Sequence, residues 1–163
     1  MNRTVTLIIL CFIFHSQLIT IADVGLVGGL AVDPGAGKLY FSIYHEGKIE
    51  VVNLNGSGRQ TFLSHAASSQ AIGIALDLTD GWLFHTLRSP DEIYKARLGD
   101  GASVTRIAYN LIAPYGISVN SRNKTLFWTE SCECCRHVGS YMKYSYSIVT
   151  IIIPHTYTDT CAH

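Results

Sequence analysis

The segment GGLAVDPGAGKLYFS, residues 28–42, returns in two related forms later in this 163-residue chain. The related segments are AIGIALDLTDGWLFHT from residue 71 and PYGISVNSRNKTLFWTE from residue 114. Their alignment makes Gly29, Gly73 and Gly116 equivalent, so the repeat length is 44 and then 43 residues. A period of roughly 20 to 50 residues is typical of proteins built from stacked or radially arranged units.

The repeated units have the composition of β-strands joined by tight turns. Short segments rich in β-branched and aromatic residues alternate with Gly, Asn, Asp and Pro, which predicts antiparallel meanders. The predicted strands are residues 30–33, 38–42, 48–54 and 59–63, then 74–77, 82–86, 92–98 and 103–108, then 117–120 and 125–130. Asn55-Gly56 and Asp100-Gly101 occupy matching places, where residues with positive φ favour a hairpin. The sequence therefore predicts an all-β fold, a partial β-propeller of about two and a half four-stranded blades.

The second strand of each unit carries a variant of one four-residue pattern. The variants are Tyr40-Phe41-Ser42-Ile43, Phe84-His85-Thr86-Leu87 and Phe127-Trp128-Thr129-Glu130. Together with Gly-Leu-Ala-Val-Asp at residues 29–33 and the third-strand pattern at residues 48–59, they resemble the class B repeats of low-density lipoprotein receptors. The mark of that family is Tyr-Trp-Thr-Asp. No unit here keeps the final Asp, which is expected to make structural hydrogen bonds, so less tightly held blades are expected.

The resemblance implies a function as well as a fold. It implies a six-bladed propeller in the extracellular part of a single-pass membrane receptor, with protein ligands on the propeller face and no cofactor. The chain is therefore expected to be a non-catalytic protein-binding module, complete or truncated. Whether a lipoprotein receptor or a Wnt co-receptor is the nearer relative stays open.

The N-terminal residues 1–22 have the features of a secretory signal. Arg3 precedes an apolar run over residues 5–14, and Thr20-Ile21-Ala22 provides small residues for cleavage. The run is shorter than the roughly 20 residues that a membrane-spanning helix needs. The alternative is that these residues form a strand of an earlier blade. The signal predicts a secreted or extracellular chain whose propeller region is residues 23–131, with repeats near 28–70, 71–113 and 114–131.

The balance of charges in the sequence argues against nucleic acid as a partner. Twelve Lys and Arg residues balance twelve Asp and Glu residues. No cluster of basic residues is present that would follow a phosphate backbone, so nucleic acid is not an expected partner.

A calcium-dependent hydrolase is the alternative function, because lactonase-like propellers resemble the segment at residues 29–42. Such enzymes hold calcium with oxygen atoms from several blades. Asp33, Asp77 and Asn120 recur at equivalent strand ends and could form such a ring. The competing interpretation is that these side chains cap turns by hydrogen-bonding nearby backbone. Because repetition accounts for all three residues at once, the turn interpretation is favoured.

The histidines do not form a catalytic motif in the sequence. His45, His65 and His85 have no spacing that ties them to a nucleophile and an orienting carboxylate. His85 replaces the Trp of the family mark and is expected to be packed within a strand. Ser42 and Ser57 lack the strand-turn-helix setting of a nucleophile elbow. No acyl-transfer site is predicted.

The segment 132–163 does not continue the repeat and has no assigned fold. It contains Cys132, Cys134, Cys135 and Cys161, which could form two disulfides in three alternative pairings. A zinc site is disfavoured because Cys-x-Cys-Cys lacks the usual gap between thiolate ligands. Apolar residues 148–153 have strong β propensity and no charge. Truncation, alternative splicing or translation of non-coding sequence would each explain the break in the repeat.

Two sequons fall on predicted surface turns. Asn55-Gly56-Ser57 and Asn123-Lys124-Thr125 are glycosylation candidates in a secreted chain. Asn55 is equally well explained as an unmodified turn residue, because it precedes the glycine of a hairpin.

Overall fold

An N-terminal hairpin precedes the repeats. The computed structural model describes residues 7–11, 17–21, 23–99, 101, 103–130 and 147–152. Strands β1 (Leu7–Cys11) and β2 (Gln17–Ile21) pair antiparallel in that hairpin. The only helical element in the described residues is one 3-10 turn, Tyr44–Glu46, and no described helix is long and apolar enough to cross a membrane.

The first two repeats fold into four-stranded antiparallel meanders, here called blade 1 and blade 2. Blade 1 contains β3 (Val27–Asp33), β4 (Lys38–Ile43), β5 (Lys48–Asn53) and β6 (Gln60–Ser64). Blade 2 contains β7 (Gln70–Asp77), β8 (Trp82–Arg88), β9 (Glu92–Arg97) and β10 (Val104–Ala108). In both blades the strand order in the sheet follows the order in the chain.

The third repeat contributes two strands to a three-stranded sheet, here called blade 3. Strands β11 (Pro114–Asn120) and β12 (Thr125–Glu130) pair antiparallel like the first two strands of the other blades. Strand β13 (Ser147–Ile152) then pairs with β12 in parallel. It lies at the edge where blades 1 and 2 carry an antiparallel third strand. The sequence indicated β propensity for this apolar run but gave no sign of its partner.

The hydrophobic core is divided into layers between the blades. Successive residues of a strand point to opposite faces, so each second strand contributes to two layers. Tyr40 packs towards blade 2, whereas its neighbour Phe41 packs on the opposite face with Ile21 and Val24. The layer between blades 2 and 3 contains Phe84, Ile93, Ile107, Ala108, Leu126 and Trp128. Each blade therefore stabilises its neighbour by burying that neighbour's apolar face.

The inner strands of adjacent blades approach each other at the repeated glycines. The pairing of the first and second strands is irregular at this point in each blade, for example between Ala71 and Ile74. A Cβ added to Gly29 would lie 2.5 Å from the carbonyl oxygen of Ile72, and one added to Gly73 would lie 2.5 Å from that of Tyr115. Only glycine permits such close backbone contact.

The predicted strands agree with the structure, and the all-β prediction is confirmed. The first strand of each blade begins three or four residues earlier than predicted, because it continues through the irregular glycine segment. The turn at Asn55-Gly56 forms as predicted, with Gly56 at φ 83°. Asp100 lies outside the described residues. The signal predicted over residues 1–22 overlaps the β1–β2 hairpin, and its cleavage stays a prediction.

Candidate functional site

The third residue of the four-residue mark is a hydroxyl that joins two blades. Ser42 Oγ accepts a hydrogen bond from the backbone N–H of Gly29, in the first strand of its own blade, at 2.8 Å. It donates another to the carbonyl of Ile72, in the first strand of blade 2, at 2.7 Å. The Ser42 side chain is fully buried, so both backbone groups depend on it for satisfaction.

The same arrangement recurs one blade later. Thr86 Oγ1 accepts from Gly73 N–H at 2.8 Å and donates to the Tyr115 carbonyl of blade 3 at 2.7 Å. In blade 3, Thr129 Oγ1 accepts from Gly116 N–H at 2.9 Å. No following blade is present among the described residues to provide the second contact for Thr129.

The first two positions of the mark face opposite layers. At the first position, Tyr40 and Phe84 are buried against the following blade, whereas Phe127 of blade 3 is only half-buried. At the second position, Phe41, His85 and Trp128 are all buried on the opposite face.

The fourth position differs from the family mark in a way that the fold accommodates. Ile43 and Leu87 are apolar and buried there, so blades 1 and 2 replace the expected polar contacts with packing. Glu130 keeps a hydrogen-bonding function in blade 3. Its carboxylate accepts from the backbone N–H of Ile112 at 2.9 Å and from the indole N–H of Trp128 at 3.0 Å.

The three residues considered as calcium ligands cap the turns between first and second strands. Asp33, Asp77 and Asn120 each accept hydrogen bonds through Oδ1 from backbone N–H groups two or three residues ahead. This is the turn chemistry that the sequence favoured. The ammonium of Lys124 also lies 3.3 Å from Asp77 and 2.6 Å from Asp80. Its hydrogen bond to Asp80 raises the pKa of Lys124, which keeps a positive charge beside these carboxylates.

Two of the three histidines meet at the junction of blades 1 and 2. The Nε2 atoms of His65 and His85 lie 2.8 Å apart, so one imidazole donates a hydrogen bond to the other. Tyr94 stacks on His85 with ring centroids 5.6 Å apart. His45 is exposed in the 3-10 turn and does not join this group. The sequence did not predict the pair, because their proximity depends on how blades 1 and 2 stack.

The environment keeps both histidines of the pair uncharged near neutral pH. Burial, followed by the nearby His65, lowers the pKa of His85 to about 3. Burial also lowers the pKa of His65, although the carboxylate of Glu92 opposes that effect. His85 Nδ1 is buried and has no hydrogen-bond partner among the described residues. Protonation of His85 would therefore place a poorly compensated charge between two blades.

A short polar chain continues from the histidine pair to the surface. The Tyr94 hydroxyl donates to Glu92 at 2.5 Å, and Glu92 pairs with Arg106 at 2.6 Å. Burial and the hydrogen bond to Glu92 raise the pKa of Tyr94 to about 12. Within the described ranges, no three His, Cys, Asp or Glu side chains are placed to hold a metal ion. The His65–His85 hydrogen bond joins blade 1 to blade 2, and the contacts of Tyr94, Glu92 and Arg106 join β9 to β10.

Both candidate glycosylation sites in the repeats are accessible. Asn55 is exposed, and its Oδ1 accepts hydrogen bonds from the backbone N–H and the hydroxyl of Ser57. Asn123 is exposed in the β11–β12 turn, next to the buried Thr125. The four cysteines considered for disulfides or zinc lie outside the described residues.

An exposed apolar loop enters blade 3. Tyr109 and Ile112 lie between β10 and β11, Tyr115 is the second residue of β11, and all three are exposed. The pairing of Pro114 with Glu130 places this loop where the first strand begins and the second ends. Leu26 lies at the same end of blade 1, because its carbonyl accepts a hydrogen bond from Tyr44 N–H just after β4. The Leu26 side chain is also exposed. No motif identified these residues, because exposed apolar side chains carry no sequence signature.

Comparison with known proteins identifies the fold. No family model matches the chain. A solved chain from the crystal structure of a nidogen/laminin complex is similar, with a TM-score of 0.64 and 23% sequence identity. The match covers 72% of this chain and 46% of that one, so this chain spans about half the length of its structural neighbour. The fold is a partial β-propeller.

Proposed function

We propose that this chain is a non-catalytic, extracellular protein-binding module of a receptor related to the low-density lipoprotein receptor. The exposed side chains of Tyr109, Ile112 and Tyr115, at the entry to blade 3, carry the proposal. Tyr side chains are enriched in the energetic centres of protein interfaces, and the buried core of an interface is apolar. The structural neighbour comes from a complex between two proteins, which supports a protein as the partner.

A neighbouring cation restrains one of these aromatic side chains. Arg106 lies over the ring of Tyr109, 5.0 Å from its centroid, and also pairs with Glu92. This contact restrains the aromatic ring at the surface before binding. A restrained anchor loses less side-chain entropy on association than a free one.

Binding is tested with the full chain against a panel of purified extracellular protein domains. For a domain that binds, the double substitution Tyr109→Ser and Ile112→Ser should weaken affinity at least about tenfold, because it removes two apolar anchors. Leu78→Ser is the matched control, since Leu78 is equally exposed but lies in a turn at the opposite end of the strands. A panel without any binding domain, or equal loss in the control, would contradict the proposal.

The calcium-dependent hydrolase is tested in parallel. Asp33, Asp77 and Asn120 already cap turns, and Lys124 neutralises part of the charge that a cation would need. Calcium should therefore leave the melting temperature of the chain unchanged, and ester or lactone substrates should not turn over. Calcium-dependent stabilisation together with turnover would support the enzyme instead.

A further inference from the structure

The turn between β5 and β6 of blade 1 contains an exposed asparagine that is followed by glycine. Of the six asparagines in the chain, only Asn55 has glycine as its next residue. Asn55 and Gly56 are both exposed, and Gly56 has φ 83°. Because glycine has no Cβ, residue 56 puts no side chain between its own backbone nitrogen and the amide carbon of Asn55. The Asn55 side chain can therefore approach the following peptide nitrogen closely.

Hydrogen bonds within the turn hold and polarise the Asn55 side chain. Its Oδ1 accepts from the backbone N–H of Ser57 at 3.0 Å and from the Ser57 hydroxyl at 2.7 Å. The first of these bonds forms an Asx turn, which folds the side chain back along the main chain. Both donors point at the oxygen on which negative charge develops when a nucleophile adds to the amide carbon. The turn therefore favours both the approach of a nucleophile and its addition.

We propose that Asn55 is a site of spontaneous conversion to isoaspartate. The Gly56 nitrogen loses its proton to hydroxide and adds to Cγ of Asn55, which forms a new C–N bond. The bond from Cγ to Nδ2 breaks, and Nδ2 takes up a proton and leaves as ammonia. Water then opens the five-membered succinimide ring. Cleavage between the Gly56 nitrogen and the main-chain carbonyl of Asn55 leaves isoaspartate, and cleavage at Cγ leaves aspartate.

One contact in the turn opposes this reaction. The N–H of Gly56 donates to the carbonyl of Asn53 at 2.8 Å, and this bond must break before the nitrogen can attack. An exposed backbone hydrogen bond of this kind should slow the reaction by less than about tenfold. The two bonds from Ser57 to Oδ1 act in the other direction, because hydrogen bonds to a charged oxygen are stronger than those to a neutral one. Conversion is therefore expected in the folded chain.

Asn120 provides a natural comparison in the β11–β12 turn. It is exposed, and its Oδ1 accepts from the backbone N–H of Arg122 at 3.1 Å, as Oδ1 of Asn55 accepts from Ser57. Its next residue is Ser121, whose Cβ lies beside the nitrogen that would attack. The other described asparagines also precede residues with a side chain: Asn53 precedes Leu54, Asn110 precedes Leu111 and Asn123 precedes Lys124. Among these asparagines, conversion is assigned to Asn55.

Conversion changes both the main chain and the charge of the turn. Isoaspartate lengthens the main chain by one atom, so the hydrogen bond from Asn53 N–H to the Ser57 carbonyl can no longer keep its present geometry. The new carboxylate also adds a negative charge to a chain with no net charge. The product lacks the asparagine of the Asn55-Gly56-Ser57 sequon. A glycan and an isoaspartate are therefore alternative modifications of the same side chain.

Peptide mapping of the full 163-residue chain tests the proposal. The chain is produced in bacteria, so that Asn55 carries no N-linked glycan, and circular dichroism confirms the sheet. It is incubated at neutral pH in water enriched in heavy oxygen, then digested with trypsin in ordinary, mildly acidic water. The tryptic peptide 49–59 should contain labelled isoaspartate and aspartate at residue 55, formed at least about tenfold faster than at Asn120 in peptide 107–122, because Ser121 adds a Cβ. Conversion should accelerate with pH, since the attacking nitrogen must lose a proton.

Two variants separate the chemistry from the turn. Asn55→Gln should stop the release of ammonia from this turn, because a glutamine side chain would have to close a larger ring. Ser57→Ala should slow conversion about fivefold, because it removes one of the two donors to Oδ1. Ser118→Ala, at an exposed strand position, is its matched control and should keep the wild-type rate. An Asn55 that stays intact while the free peptide 49–59 converts, equal conversion at Asn120, or a wild-type rate in Ser57→Ala would overturn the proposal.

Discussion

At the scale of single residues, one buried hydroxyl connects three strands at each blade junction. Thr86 joins Gly73 of its own blade to the carbonyl of Tyr115 in the next. The hydroxyl provides both an acceptor and a donor, which explains why Ser or Thr occupies this position in all three units. The contact also sets the register between blades, because it forms only where the glycine segment passes the carbonyl.

Substitution of Thr86 by Val measures how much the hydrogen bonds of this hydroxyl contribute to the free energy of unfolding. Val keeps the shape but leaves Gly73 N–H and the Tyr115 carbonyl without their partner, so the free energy of unfolding should fall by about 3 kcal/mol. Chemical denaturation followed by circular dichroism gives this value. Thr105→Val is the matched control, because Thr105 is an exposed strand residue, and it should change stability by less than about 0.5 kcal/mol. A Thr86→Val chain as stable as wild type would show that water replaces the lost partner.

At the scale of the β-strand, the first strand of each blade is shaped by close approach to its neighbour. Gly73 places β7 against the backbone of β11, and the side chain of Ile117 packs over it, with Cγ2 3.0 Å from an added Cβ. The inner strands therefore meet backbone to backbone, whereas the second strands meet through large side chains such as Phe84 and Trp128. This difference brings the blades closer together on the inside than on the outside, as a radial array requires.

Gly73→Ala tests this geometry at the strand. The new Cβ would lie 2.5 Å from the Tyr115 carbonyl, so β7 and β11 must separate, and unfolding free energy should fall by about 2 kcal/mol. Denaturation should also become less cooperative if blade 3 unfolds first. Gly35→Ala, in a turn with ordinary space around its Cβ, should have little effect. Equal stability of both variants would contradict the close approach.

At the scale of the whole molecule, the His65–His85 contact couples blade packing to pH. The folded chain holds His85 neutral with a pKa of about 3, whereas the ordinary value is 6.5. At pH values between about 3 and 6.5, the unfolded chain therefore binds a proton at His85 that the folded chain does not bind. Stability from this group is present above about pH 6.5 and is lost as pH falls towards 3, by about 2 kcal/mol at about pH 5. The lowered pKa of His65 acts in the same direction.

His85→Phe isolates this effect, because Phe41 already occupies the equivalent buried position in blade 1. Between about pH 7 and about pH 5, the variant should lose about 2 kcal/mol less stability than wild type. Urea unfolding at a series of pH values measures the difference. His45→Gln, at an exposed site, should keep the wild-type slope. If the free energy of unfolding of the His85→Phe variant falls with pH as steeply as that of wild type, other groups govern the loss of stability in acid.

The sequence by itself determined the repeat, the strands and their turns. These features are local, because β propensity, alternation and turn residues act within a few positions. The repeat of Gly29, Gly73 and Gly116 is visible in the sequence. The turn role of Asp33 was also recognisable, because its hydrogen bond spans only three residues. Contacts between residues this close in sequence can be predicted without knowledge of the tertiary fold.

Only the tertiary structure decided what meets across the blades. The carbonyls that accept from Ser42 and Thr86 lie 30 and 29 residues further along the chain, in the next blade. The contact between His65 and His85 forms only when two blades stack. The parallel pairing of β13 with β12 likewise depends on which strand edge remains open. These contacts join residues far apart in sequence, so no local pattern specifies them, and packing of the blades brings them together.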